Sequence, residues 1–119
     1  TKDGTTVRDY IHISDLAEIH YICAKKLINN KRSNIFNCGY GRGFSIKSVV
    51  STINKILGYK INTKIGKRRP GDSKKIIANT KKFNKYFKWK PKYNNLNIII
   101  TTALNWEKKI QFSNKRNNT

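Results

Sequence analysis

Hydrophobic and polar positions alternate along the chain in blocks that predict short strands separated by helices. Residues 7–13 carry β-favouring side chains in near alternation and predict a first strand. Residues 34–38 form a short apolar run and predict a second, whereas residues 61–65 alternate and predict a third strand with one buried face. A last short run covers residues 76–78.

Apolar residues at helical spacing predict three helices in the first two thirds of the chain. The first follows Asp15, which we expect to be its N-cap, with Glu18 in the capping-box position. The second follows Ser45 and stops at Gly58, and a brief third helix follows Thr80. The predicted buried stripe of the first helix consists of Leu16, His20, Cys23 and Leu27.

A fourth helix is predicted to begin near Asn95. Its β-branched residues 98–102 are poor helix formers, so we expect tertiary packing to hold it. Because strands and helices alternate throughout, the predicted fold class is α/β. The predicted inner face of the fourth helix consists of Leu96, Ile99, Ala103, Trp106 and Ile110.

Length and composition limit the number of domains, the location of the protein and the kinds of site that it can carry. A chain of 119 residues suits one domain with a modest core, and no apolar run is long enough to cross a membrane. No secretion signal is visible, and the two cysteines, Cys23 and Cys38, are expected to be buried free thiols, which suits the cytoplasm. No metal-ligand spacing occurs, and His12 and His20 are expected to be core residues. The chain does not begin with Met and contains none, which suggests a piece of a longer polypeptide.

The chain is strongly basic, with 26 Lys and Arg against 6 Asp and Glu and a formal net charge of +20. Such a charge is typical of nucleic-acid-binding proteins. Most of these cations, however, are lysines spread along the chain among Asn and Ile residues, as on a generic basic surface. A small nucleic-acid-binding module is therefore an alternative, although we expect nucleic-acid binding to be only nonspecific.

Two loops are candidates for binding anions. Residues 39–43, G-Y-G-R-G, lead from a predicted strand to a helix, but they do not match the dinucleotide fingerprint G-x-G-x-x-G, so we interpret them as a tight turn. Residues 67–72, K-R-R-P-G-D, place Arg68 and Arg69 before a Pro-Gly turn and Asp72 after it. Arginine suits phosphate oxygens, and an acid in this position suits a sugar hydroxyl. From spacing alone, a shaped anion site and an exposed basic turn are equally favoured.

Several motifs, taken together and in order, resemble a known family. The runs V-R-D-Y-I-H-I-S-D-L-A, N-C-G-Y-G-R-G-F-S-I, R-R-P-G-D and K-W-K-P, with Trp106 in the closing helix, are similar to the C-terminal part of the UDP-glucose 4-epimerases. That family lies within the extended short-chain dehydrogenases/reductases, and the resemblance covers about residues 3–106. It implies the C-terminal part of an extended Rossmann-type fold.

The resemblance also implies roles for individual residues. Arg8 and Arg69 match the arginines that hold the UDP diphosphate, and Asp72 matches the acid that hydrogen-bonds the uridine ribose. Tyr10 lies beside Arg8 in the same pocket. Ile76 falls where side-chain size limits the substituent at sugar C2.

The family's reaction interconverts UDP-galactose and UDP-glucose with a bound NAD, and the resemblance implies that both the NAD site and the catalytic site lie outside this chain. No catalytic, cofactor-binding or metal-binding residue is therefore assigned here. Tyr21 and Lys25 have the spacing of the family's Tyr-x-x-x-Lys pair, but they lie on a predicted core helix and are not assigned as that pair. The chain alone is expected to be inactive, and a homodimer is expected to form through the part not present.

The resemblance divides the chain into three parts. Residues 1–41 would complete the edge of the NAD-binding domain, residues 42–112 would form the nucleotide-sugar substrate lobe, and residues 113–119 would be a polar tail. We expect such a chain to expose apolar surface, and to aggregate or behave as a loose globule when isolated. A related enzyme, such as a UDP-glucuronate 4-epimerase or another nucleotide-sugar epimerase or dehydratase, is the main alternative function.

Overall fold

The computed structural model describes residues 1–116, with side chains described up to residue 113. Three short strands and four helices alternate, and most of the remaining chain runs in loops. In chain order the elements are β1 (Val7–Arg8), α1 (Ile13–Asn30), β2 (Phe44–Ser45), α2 (Ile46–Leu57), β3 (Lys75–Ile76), α3 (Lys81–Phe87) and α4 (Leu96–Arg116).

Strand β1 is the centre of a small sheet with the order β2-β1-β3. β2 runs antiparallel to β1, with Val7 opposite Ser45, and β3 runs parallel to it, with Arg8 opposite Ile76. Helix α2 packs against β2 and α4. The sheet therefore joins three segments that are distant in sequence, and the predicted α/β class is confirmed.

One strand prediction was too long and two were wrong. β1 covers only Val7 and Arg8, because these are the residues that pair with β2 and β3. Residues 34–38 and 61–65 form no strand in the described chain. A strand needs a neighbour for its backbone hydrogen bonds, and neither segment finds one among the described residues. Ile65 is accordingly 86% exposed.

Helix α1 begins three residues earlier than predicted. Its N-cap is His12, whose Nδ1 accepts a hydrogen bond from the Ser14 amide at 3.1 Å. Asp15 lies inside the first turn and is fully buried, so the predicted capping box is wrong. The buried face carries Asp15 and Ile19, whereas His20, predicted on that face, is exposed.

Helix α2 has the predicted ends. The Ser45 hydroxyl accepts a hydrogen bond from the Ser48 amide at 3.1 Å, which satisfies one of the free N–H groups of the first turn. Gly58 closes the helix with φ +77°, and its amide donates to the Asn54 carbonyl at 3.0 Å. Both predictions are confirmed.

Helices α3 and α4 follow the predictions less closely. Thr80 precedes α3, but its side chain accepts no hydrogen bond from a backbone amide of the helix. Asn95 caps α4 by accepting from the amides of residues 97 and 98. The buried residue of α4 is Ile100, and Trp106 is 59% exposed, so the predicted inner face is rotated about the helix axis. α4 also extends to Arg116, into the predicted polar tail, whose residues 117–119 lie outside the described residues.

A group of packed aromatic side chains lies between α1 and α3. Phe83 is buried and meets the rings of Phe36, Phe87 and Trp89 at centroid distances of 4.9–5.9 Å. The fully buried apolar core is small, and large apolar side chains such as Ile28 and Ile35 lie exposed. None of the described helices is long and apolar enough to span a bilayer.

The three-part division of the chain stays a prediction. β1, from the first predicted part, pairs with β2 and β3 from the second. The small sheet thus spans the proposed boundary at residue 41.

Candidate functional site

The pairing of β1 with β3 brings together two predicted site residues that are 64 positions apart. The Nη2 of Arg8 lies 2.5 Å from the Oδ1 of Asp72. The Nη1 of Arg8 donates to the carbonyls of Val7 at 2.9 Å and Ser73 at 3.0 Å. The guanidinium group is therefore anchored to one backbone carbonyl of β1 and one of the segment before β3, and its Nη2 faces a carboxylate.

The loop before β3 presents the other predicted cation. Its turn is closed by the Asp72 amide, which donates to the Arg69 carbonyl at 3.3 Å, and Gly71 adopts φ +77°, a conformation that favours glycine. Arg68 folds back and donates to the Asp72 carbonyl at 2.9 Å. The Arg69 side chain is exposed and makes no hydrogen bond or ion pair among the described residues.

An open cleft of about 710 Å³ lies beside this turn. Arg69 and Asp72 line it, as do the N-terminal residues and the first turn of α2, whereas Arg8, Tyr10 and Ile76 lie outside its lining. Its rim is strongly positive, and an anion is the ligand that such a rim attracts. The lining cations are Lys47, Lys64, Lys67, Arg68, Arg69 and Lys74.

Tyr10 and Ile76 flank the ion pair in different ways. Burial raises the pKa of the Tyr10 hydroxyl, and the positive charge of Arg8 partly offsets that rise. Tyr10 therefore lies within electrostatic reach of the guanidinium group. Ile76 stands opposite Arg8 in the β1–β3 register and is 54% exposed, so its side chain is available to a ligand.

The glycine loop at residues 39–43 is held by a residue that the sequence did not single out. The carboxylate of Asp9 accepts hydrogen bonds from the amides of Tyr40 at 3.1 Å, Gly41 at 2.9 Å and Ala78 at 3.3 Å. A Cβ at Gly39 would lie 2.7 Å from both the Ala78 Cβ and the Asp9 Oδ2. Two of the loop's amides are thus already used by a carboxylate, in accord with the interpretation of this run as a tight turn.

Asp15 is a second carboxylate that serves the fold. It has no exposed surface and accepts hydrogen bonds from the Tyr40 hydroxyl at 2.5 Å and from the amides of Lys92 at 3.1 Å and Tyr93 at 3.0 Å. Burial, together with this hydrogen bond to Asp15, raises the pKa of Tyr40 to about 12. Asp15 therefore links α1 to the glycine loop and to the segment before α4.

His12 is a fully satisfied core histidine, as predicted. Because its Nδ1 accepts from the Ser14 amide, its Nε2 carries the proton and donates to the Thr102 hydroxyl at 3.0 Å. The ring stacks on Tyr93 with a centroid distance of 4.5 Å. These contacts leave no nitrogen of His12 free for catalysis.

The cysteines are both free, as predicted, but only half-buried, and burial raises the pKa of each thiol. Cys23 and Cys38 line an apolar cleft of about 360 Å³ between α1 and α3. Within the described part of the chain, no three His, Cys, Asp or Glu side chains are grouped to hold a metal ion.

Comparisons with known proteins give the family context. No protein-family model matches the chain. The chain is 39% identical over 113 residues to the UDP-glucose 4-epimerase of Azospirillum brasilense, a match that covers 95% of this chain and 32% of that protein. The chain thus spans about a third of the length of the curated relatives it matches.

Solved structures agree. The UDP-glucose 4-epimerase of Stenotrophomonas maltophila, solved with NAD and formylated UDP-arabinopyranose, is 28% identical with a TM-score of 0.85, and the match covers 95% of this chain and 33% of that one. The enzyme of Bifidobacterium longum, solved with NAD+ and UDP, is 35% identical with a TM-score of 0.77, and the match covers 92% and 32%. In sequence and in fold, the chain corresponds to the C-terminal third of the UDP-glucose 4-epimerases, within the extended short-chain dehydrogenase/reductase family.

Proposed function

We propose that this chain is the UDP-sugar-binding part of an NAD-dependent UDP-glucose 4-epimerase. The observation that carries the proposal is the meeting of Arg8 and Asp72 across the β1–β3 pair, with Arg69 presented by the same turn as Asp72. The β1–β3 pair thus brings two residues that the family resemblance assigns to one ligand into contact, and the third lies in the same turn as Asp72.

The chemistry of these groups suits a nucleoside diphosphate. A guanidinium fork donates two parallel hydrogen bonds to phosphate oxygens, so Arg8 and Arg69 would bind the diphosphate. Asp72, as a carboxylate, would accept from a ribose hydroxyl. Ile76 would face the sugar beside Arg8 and limit the size of its C2 substituent, and Tyr10 would close the pocket next to Arg8.

NAD and the catalytic residues would lie in the part of the enzyme that this chain does not contain. NAD, when bound, would accept and return the hydride at sugar C4. In this chain the glycine loop does not match the dinucleotide fingerprint, and the Asp9 carboxylate beside it accepts the amides of Tyr40 and Gly41, where a phosphate would be repelled. Tyr21, which has Lys25 four residues on, lies exposed on α1. We therefore propose that the isolated chain binds nucleotide-sugar but does not convert it.

Partners and location follow from the same proposal. The complete enzyme would form a homodimer through its missing part and would work in the cytoplasm, where free thiols such as Cys23 and Cys38 stay reduced. Nucleic acid would bind only nonspecifically through the basic surface. In support, Phe83 is buried and Phe87 packs in the same aromatic cluster, so neither offers a stacking face to bases.

Calorimetric titration with UDP of the complete enzyme that carries this chain tests the proposal. Arg69→Ala removes charge-assisted hydrogen bonds to the diphosphate and should weaken binding by ~1.5–3 kcal/mol. The matched control is Arg32→Ala, which removes the same charge from the rim of the apolar cleft between α1 and α3 and should leave UDP affinity unchanged. Equal affinities in all three proteins would refute the assignment.

A second nucleotide-sugar enzyme is favoured by one structural neighbour. The dTDP-glucose 4,6-dehydratase of Bacillus anthracis is 26% identical with a TM-score of 0.66, and the match covers 90% of this chain and 33% of that one. Arginine contacts to a diphosphate do not distinguish uracil from thymine. Competition between UDP and dTDP for the same site would distinguish an epimerase from a dehydratase, because a dehydratase-like site should prefer dTDP.

A further inference from the structure

We infer that Asp72 is an internal substitute for the ligand phosphate, which occupies Arg8 until a nucleoside diphosphate displaces it. This inference rests on the proposed function and concerns the regulation of the same site. In the proposed function Asp72 accepts a hydrogen bond from the ribose of the bound ligand. The inference adds a second partner, Arg8, which Asp72 binds when no ligand is present.

The contacts of Arg8 show why a bound diphosphate disfavours the ion pair. Both hydrogens of Nη1 are committed to the carbonyls of Val7 and Ser73, so phosphate oxygens can bind only at Nε and Nη2. The Asp72 carboxylate already binds Nη2. A diphosphate at Nε and Nη2 therefore places its negative charge beside the Asp72 carboxylate, and the repulsion between the two favours release of Asp72.

The two partners differ in their freedom to move. The guanidinium group of Arg8 is fixed by two backbone carbonyls, one on β1 itself. Asp72 lies in an exposed turn, where a Cβ built at Gly71 would meet nothing within 4 Å. Arg68 binds the backbone carbonyl of Asp72 and not its carboxylate. The turn can therefore keep its shape while the Asp72 side chain changes its partner.

This exchange would make the site selective. A nucleoside diphosphate offers phosphate oxygens to Arg8 and a ribose hydroxyl to the released carboxylate, so both hydrogen bonds are replaced. Inorganic pyrophosphate offers only the first, and leaves Asp72 unpaired beside added negative charge. Asp72 thus favours nucleotides over simple phosphate anions.

The test compares pyrophosphate and UDP binding in the complete enzyme that carries this chain, in its wild-type form and as the Asp72→Asn variant. Asparagine keeps the side-chain shape and can still accept a hydrogen bond, but it no longer forms an ion pair with Arg8. Pyrophosphate affinity should rise about two- to fivefold, the range expected when a partly exposed ion pair no longer competes. UDP affinity should rise less, so that the preference for UDP over pyrophosphate falls.

A double-mutant cycle separates the exchange from simple removal of a negative charge. In the Arg8→Gln background Asp72 has no pair to break, so Asp72→Asn should no longer raise pyrophosphate affinity. Phosphorus NMR at millimolar pyrophosphate measures the weak binding left by Arg69. A second readout uses the wild-type enzyme, in which the Asp72 carboxyl carbon resonance should move as pyrophosphate saturates the site.

Three outcomes would overturn the inference. An equal gain in both backgrounds, or an Asp72 resonance that stays fixed at saturation, would show that Asp72 acts only by its charge, while the proposed function would stand on UDP binding. If neither anion binds the wild-type enzyme or Asp72→Asn, the inference and the proposed function both fail. Unchanged far-ultraviolet dichroism of each variant establishes that its fold is intact.

Discussion

Three carboxylates of this chain, Asp9, Asp15 and Asp72, fall into two groups that differ in their hydrogen-bond partners. Asp9 and Asp15 each accept three hydrogen bonds, five of the six from backbone amides in remote loops. Asp72 instead meets a guanidinium group, and its side chain is 26% exposed. The first group holds backbone amides of the loops in place, whereas we infer that the second exchanges its partner for a ligand. Loop anchoring and ligand response are therefore assigned to different carboxylates.

The largest expected effect is that of Asp15→Asn. The amide group would place a donor against the Tyr93 amide or the Tyr40 hydroxyl and leave a buried hydrogen bond unmade, at a cost of about 3 kcal/mol. Amide hydrogen exchange at Lys92 and Tyr93 should accelerate about a hundredfold. The matched control is Asp72→Asn. Loss of the partly exposed Arg8–Asp72 ion pair should lower the free energy of unfolding by less than about 1 kcal/mol. Equal losses of stability in the two variants would show that Asp15 does not hold the fold more firmly than Asp72.

A smaller effect is expected for Asp9→Asn, because Asp9 is only half-buried. Its carboxylate holds the amides of Tyr40, Gly41 and Ala78, and the variant should weaken these bonds by about 1–2 kcal/mol. Exchange at the Gly41 amide should accelerate about tenfold, with Lys92 unaffected. Accelerated exchange at Lys92 alone would show that Asp9 does not hold the glycine loop.

Local sequence rules predicted part of the scaffold, because capping preferences correctly gave Ser45 and Gly58. Arg8, Arg69 and Asp72 belong to a recognisable motif, and their role in binding a UDP-sugar stays a prediction. Asp9 and Asp15 were missed or misassigned, because their partners lie 25 to 78 positions away and short-range rules gave Asp15 a capping role instead. Sequence distance, and not residue type, limited the prediction.

The failed strands have a related cause. Residues 34–38 and 61–65 have strand-like patterns, yet a pattern forms a strand only where a second backbone is available. Ile35 and Ile65 are exposed, as expected for segments that pair with no strand among the described residues. Aggregation of the isolated chain accordingly stays a prediction, and a sharp two-state thermal melt at low protein concentration would contradict it.

The smallest expected effect concerns pH and a third kind of carboxylate. The hydrogen bond from the Ser45 hydroxyl, followed by those from the amide and hydroxyl of Thr5, lowers the pKa of Asp3 to about 2 from 3.8. Because the folded pKa lies below the unfolded value, this contribution to stability is fully present above about pH 4. It is lost as the pH falls through about 2.

NMR titration of the Asp3 carboxyl carbon checks this prediction. The midpoint should lie near 2 in the wild-type chain and should move toward 3.8 in Ser45→Ala, which removes the largest cause. Thr63→Ala, a substitution of similar size in the wall of the open cleft beside the Arg69 turn, should leave the midpoint unchanged. A wild-type midpoint near 3.8 would show that the hydroxyls do not hold Asp3, and would leave Asp9 and Asp15 as the anchored carboxylates of this fold.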